Sequence, residues 1–112
     1  MSTLYTRRWN LKSSLSDKDV VAFWKFCVDE LAPAIEGISG TRSCKLYSGA
    51  GALRADLTVE WEMDDAAVYE NALKNPDLRS LIGRFYRDID METTEQKFRR
   101  EVTAEMVHAL SG

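Results

Sequence analysis

Metal, disulfide and membrane chemistry all find little support in this sequence. Its 112 residues include two cysteines, one histidine and two prolines, and no long apolar run. Two thiols are too few for a disulfide framework, and the spacing of Cys27 and Cys44 matches no zinc or redox motif. Both read as reduced, small buried hydrophobes. No segment approaches the roughly 20 apolar residues that a bilayer span requires. The polar stretch from Met1 to Lys12 also lacks the apolar core of a secretory signal. A cytoplasmic location without membrane contact is therefore expected.

Positive charge is not in excess either. Fifteen Lys and Arg against 18 Asp and Glu leave a net charge of −3, so there is no electrostatic footprint for a phosphate backbone. Glycine-rich phosphate loops, G-x-S-x-G elbows and H-E-x-x-H pairs are absent. No metal site and no nucleic-acid partner are expected.

What remains is the composition of an ordinary folded domain, 45% hydrophobic and 29% charged. No linker, repeat or change of composition divides it, so residues 1–112 are expected to form one domain. Its core spans about residues 3–102, followed by a short helix over about 103–110.

Tyr5, Trp9 and Leu11 alternate with polar residues, which predicts a first strand despite the polar Arg7. Ser16, Asp17 and Asp19 then mark a helix start. Ser16 can cap the Asp19 amide, and Leu15 and Val20 have the spacing of a hydrophobic staple. Val20, Trp24, Cys27, Val28, Leu31 and Ile35 make its apolar stripe, Pro33 should kink or end it, and Gly37 supplies a stop. Ile38 to Ser48 reads as a second strand, turned by Gly49-Ala50-Gly51. From Leu53 to Met63 every second residue is apolar and every intervening one polar, which predicts a long third strand. Asp64 and Asp65 open a second helical region that Asn75-Pro76 breaks and restarts. Thr93 to Val102 is read as a fourth strand, and Thr103 to Leu110 as the closing helix.

The order β-α-β-β-α-β is that of the split βαβ, or ferredoxin-like, α+β fold: a four-stranded antiparallel sheet with its helices on one face. The segment Leu57-Thr-Val-Glu-Trp61-Glu-Met-Asp-Asp65-Ala-Ala-Val-Tyr69, a strand ending in Trp before an acidic cap and a helix, carries a resemblance. With Asn75-Pro76-Asp-Leu78-Arg-Ser-Leu81, the broken second helix, it resembles the dimeric α/β-barrel superfamily, and within it the antibiotic-biosynthesis-monooxygenase-like proteins. That resemblance implies a homodimer whose sheets pair face to face. Arg54, Asp56 and Glu60, on the polar side of the third strand, would then meet across the dimer interior. They would act there either as a site or as an ion-pair network fixing the register.

The resemblance also frames the candidate pocket. In haem-degrading relatives a Trp ending the third strand works with an Asn on the first strand and a His on the second helix. Trp61 matches the Trp, and Arg8 or Asn10 stands near the Asn. Leu78 to Leu81 hold no His, and His108 falls in the terminal helix, so haem is not expected and no cofactor is implied. Cofactor-independent monooxygenation of an aromatic or polyketide-like substrate stays open. Trp61, Trp9, Tyr69 and Phe85 would supply walls, and Arg8 or Asn10 a polar hand. The alternative is a non-catalytic binding or assembly module in which the same aromatics fill their own cleft. RNA binding, which the fold can host, is excluded because the polar side of the third strand offers no ring on which a base could stack.

Overall fold

The computed structural model describes residues 2–111. Strand β1 (Thr3–Leu11) leads into helix α1 (Asp17–Phe26), a π-helical turn (Cys27–Leu31) and helix α2 (Ala32–Glu36). Strands β2 (Thr41–Tyr47) and β3 (Leu57–Met63) follow, then helices α3 (Ala66–Ala72) and α4 (Pro76–Asp88). Strand β4 (Ile89–Arg100) and helix α5 (Ala104–Ser111) complete the described chain. The sheet order is β2-β3-β1-β4 with every neighbouring pair antiparallel, which is the ferredoxin-like arrangement expected from the sequence. Among the described residues no helix is long and apolar enough to cross a membrane.

The helix ends follow the local chemistry. Ser16 Oγ accepts the Asp19 amide at 3.1 Å, and the Asp19 carboxylate accepts the Ser16 amide in return, closing a capping box. Asn75 caps α4 by accepting from Asp77 N and Leu78 N, with Pro76 at the first helical position.

Pro33 does not end the first helical run. The turn before it widens to π geometry, with the Ala32 amide bonding the Cys27 carbonyl, and the chain then continues as α2. A prolyl residue has no donor for the usual ladder and crowds the preceding turn, and the wider turn relieves both demands. The apolar stripe also differs from the expectation. Phe23 and Phe26 are buried with Val20 and Cys27, while Val28 is 57% exposed, so the stripe is centred between Phe23 and Cys27.

The strand limits need three corrections. β2 is shorter than Ile38–Ser48, and β4 begins earlier than Thr93, so that Ile89 is fully buried at its start. More consequentially, β3 begins at Leu57 rather than Leu53. Asp56 holds a left-handed backbone (φ 57°), Gly49 bridges Ala52, and the Arg54 carbonyl accepts the Leu11 amide. Perfect alternation over Leu53–Asp56 therefore lies in a loop, because the chain must turn there to reach register with β1. Pairing holds the sheet only from Leu57, opposite Trp9, to Met63, opposite Thr3.

Within the sheet, the odd residues of β1 and β3 face the helices. Tyr5, Arg7, Trp9, Leu11, Leu57, Val59, Trp61 and Met63 are all buried. Phe23, Phe26, Cys27, Leu31, Ile35, Leu78 and Phe85 pack down on them from the helices. Full burial of a large side chain contributes about 1.5–3 kcal/mol each, so this layer dominates the stability. α5 has no buried residue.

Candidate functional site

The site grows from the alternation of β1. Its odd positions carry a single charge: Arg7 takes its place between Tyr5 and Trp9 and is only 8% exposed. Above it, the sheet and the helices leave a narrow slot, a cavity of ≈ 60 Å³ that opens to solvent. Tyr5, Trp61, Tyr69, Phe85 and Tyr86 form its aromatic walls. Leu31, Ile35, Cys44, Leu46, Val59 and Ile82 supply the aliphatic and thiol remainder.

The rings brace one another. Trp61 meets Tyr5 edge-on at 6.2 Å between centroids and Tyr69 at 5.7 Å, and Tyr5 lies 4.9 Å from Tyr69. Such pairs add about 0.5–1.5 kcal/mol beyond area burial and fix the wall's shape. Trp61 Nε1 donates to Thr41 Oγ1 at 2.9 Å, which orients the indole. Burial, with Tyr69 beside it, pushes the Tyr5 phenol above its ordinary range, so it stays neutral and donates to Gln96 Oε1 at 3.2 Å.

Arg7 closes one end. Its Nε donates to Thr94 Oγ1 at 3.1 Å and its Nη1 to Tyr86 Oη at 2.7 Å, while Nη2 lies 4.0 Å from Met91 Sδ. Its guanidinium carbon is also 4.7 Å from the Tyr86 ring centroid. Among the described residues no carboxylate lies within salt-bridge distance of Arg7. A buried cation held only by neutral groups is costly, and such a group is a candidate for function.

Cys44 lines the slot, and burial pushes its thiol up to about 12, as it does for Cys27 in the core behind. Neither is a nucleophile at neutral pH. Among the described residues no cluster of three His, Cys, Asp or Glu could hold a metal ion.

The structure distributes the residues singled out from sequence over three places. Trp61, Tyr69 and Phe85 share the slot. Trp9 is buried behind it, its ring 4.6 Å from Phe85 and its Nε1 without a partner, so it is a core residue rather than a wall. Arg8 and Asn10 lie across the sheet. At even positions of β1 they project from the opposite face, where Arg8 pairs with Asp56 and Asn10 Oδ1 accepts the Asp56 amide at 2.9 Å.

Glu60 belongs to that outer face, between Thr6 and Lys45 in register. Asp56 stands at its rim. Arg54, expected beside them, instead reaches α1 from the loop, donating to the Leu15 carbonyl at 2.7 Å and pairing with Asp17 at 2.6 Å. His108 is exposed in α5. Sequence reasoning missed Arg7, Tyr5 and Tyr86. For Arg7 the signal was present: a charge standing in the apolar phase of an alternating strand.

The fold defines a class, the ferredoxin-like α+β domain. Among solved structures the chain is similar to SnoaB from Streptomyces nogalater, a cofactor-independent oxygenase, with TM-score 0.74 and 11% identity over 92% of this chain and 95% of that one. It is similar to a conserved protein from Methanosarcina mazei Go1 (TM-score 0.74, 15% identity, 91% and 94% covered). A dimeric protein of unknown function and ferredoxin-like fold from Bacteroides fragilis also matches (TM-score 0.69, 10% identity, 89% and 96% covered). No family model and no curated protein matches the chain. At these identities the likeness establishes the fold, and activity has to be argued from the site.

Proposed function

We propose that this chain is a homodimeric, cytoplasmic small-molecule-binding protein that acts as a cofactor-independent monooxygenase on an aromatic or polyketide-like substrate. The slot carries the reading: braced aromatic walls that would stack on a flat ligand, ending in a polar hand made by the buried Arg7 and the exposed Tyr86. SnoaB, whose fold the chain shares, is a cofactor-independent oxygenase. Without a cofactor the substrate itself must reduce oxygen. An anthrone-like ring CH2 loses a proton, and oxidation of that carbon to C=O gives up four electrons. One oxygen atom of O2 enters the product and the other leaves as water. The protein's part is to hold the ring against Trp61 and Tyr69, orient its polar end at Arg7 and exclude bulk water.

The test is oxygen uptake with anthrone in chelator-treated buffer, with anthraquinone as the measured product. An enzyme-dependent rate at least about tenfold over buffer supports the reading, with most of it lost in Trp61→Ala. Uptake unchanged by the protein overturns catalysis.

The dimer reading rests on the outer sheet face, where Arg8, Glu60, Glu95, Lys97 and Arg99 are grouped around a shallow polar hollow. Mixed charges of both signs suit self-pairing of two such faces. Light scattering at micromolar concentration reads it, and a monomer would overturn it. A second reading has its own observation. Trp61 is only 3% exposed and its ring and N–H are both satisfied, as a self-filled cleft requires. In that case Trp61→Ala costs about 3–5 kcal/mol of stability and no ligand is lost.

A further inference from the structure

We infer that the slot takes a flat aromatic ligand bearing a carboxylate, and that Arg7 is the residue that receives it. The inference rests on the slot being a ligand site and goes further by naming the charged group that tightens a ligand's binding there.

Three observations lead there. First, Arg7 is more than nine-tenths buried, and no acidic side chain among the described residues lies close enough to neutralise it. The other inward-facing positions of β1 and β3 carry no charge, so a buried cation with no counter-charge in the chain calls for a negative partner from outside it. Second, the donors are only partly used. A guanidinium has five N–H groups. Thr94 takes the one on Nε, Tyr86 takes one from Nη1, and Met91 sulfur, a weak acceptor at 4.0 Å, faces Nη2. Each terminal nitrogen therefore keeps at least one proton that forms no hydrogen bond within the chain, with the Tyr5 phenol lying beside the guanidinium. One proton from each terminal nitrogen is what the two oxygens of a carboxylate accept in the bidentate fork.

Third, the placement is directional. Arg7 and Tyr86 line the slot, whereas Thr94 and Met91, which hold the guanidinium from β4, do not. The backing groups are thus on the strand side, and the slot side is where a ligand would arrive. Tyr86 adds a hydroxyl whose proton is free to be given to the same carboxylate while its oxygen accepts from Arg7. The remaining walls are apolar or aromatic, so the rest of the ligand must be flat and without charge.

The probes are trans-cinnamate and its neutral counterpart trans-cinnamamide, titrated calorimetrically into the full chain. Cinnamate is expected to bind at least about tenfold more tightly, since charge-assisted bonds are roughly twice as strong as neutral ones. Arg7→Met should erase that preference, weakening cinnamate at least about tenfold more than cinnamamide, and Arg7→Lys should restore part of it. Arg7→Gln serves if the Met variant does not fold, and the comparison in the native protein stands without either. Equal affinities for the two probes would overturn the carboxylate assignment while leaving the slot as a ligand site. A preference that persists in Arg7→Met would also overturn it, by placing the carboxylate elsewhere. Binding of neither probe would overturn the assignment and the slot reading together.

Discussion

The two faces of one sheet have been put to opposite uses. Facing the helices, β1 and β3 present Tyr5, Trp9, Trp61 and their aliphatic neighbours with a single charge, Arg7, that has no counter-charge. Facing away, the same strands present Thr6, Arg8, Thr58 and Glu60, joined by Glu95, Lys97 and Arg99 of β4. There Arg8 pairs with Asp56 and Glu95, and Lys97 with Glu95, while Glu60 and Arg99 form no ion pair among the described residues. Paired, exposed charges are weak determinants of stability and good determinants of partner and register. A lone buried charge is the reverse. It costs stability and is informative about function.

The largest expected effects break the inner face. Phe23 has no exposed surface and packs 5.6 Å from Phe85, so Phe23→Ala should cost about 3–5 kcal/mol in denaturant unfolding. Arg7→Met on the same face should behave oppositely. Removing an uncompensated charge at similar volume should leave stability unchanged or raise it by about 1–4 kcal/mol. A loss comparable to that of Phe23→Ala would mean that Arg7 is structural and would collapse the distinction between the faces.

The outer face should give the smaller numbers. Ser16→Ala, which removes one half of an exposed capping box, should cost about 1 kcal/mol and calibrates the scale. Arg8→Ala should cost under about 1 kcal/mol in the folding of one chain, because both of its partners are solvent-exposed. Reversing Arg8 and Lys97 to Glu together should nonetheless shift a dimer towards monomer in light scattering.

A pH series separates the faces again. Cys27 and Cys44 are held neutral by burial, with folded values near 12 against an ordinary 9.0. The folded chain therefore binds more protons than the unfolded one between those values. Their contribution to stability should be constant below about pH 9 and be lost as pH rises towards 12. A thiol reagent at pH 8 should find neither cysteine in the native protein and both after unfolding.

Much of the fold was legible because period-two alternation and helix caps are local signals. Ser16, Asn75 and Pro76 do in the structure what their chemistry predicts. The start of β3 was not legible, since Leu53 to Asp56 alternate as well as any strand. Only pairing with β1, a contact distant in sequence, decides that they form a loop. The same holds for Arg54, which the expectation put on a sheet face and the loop carries to α1. Trp61 and Tyr69 could be found from sequence as aromatics flanking a strand end. The polar hand was sought one residue away from its place. Arg8 and Arg7 are neighbours in the chain but project from opposite faces, and a one-residue difference in a strand is a full change of side.

The most direct measurement of the slot as a ligand site uses the indole signals of Trp9, Trp24 and Trp61 as reporters at three known positions. Trp61 lines the slot, Trp9 lies in the core, and Trp24 donates to the Leu53 carbonyl at the far loop. On titration of nitrogen-labelled protein with trans-cinnamate, the Trp61 indole resonance should move saturably while that of Trp24 stays in place. A Trp61 signal that never moves, or a Trp24 signal that moves as far, would contradict binding between the sheet and the helices.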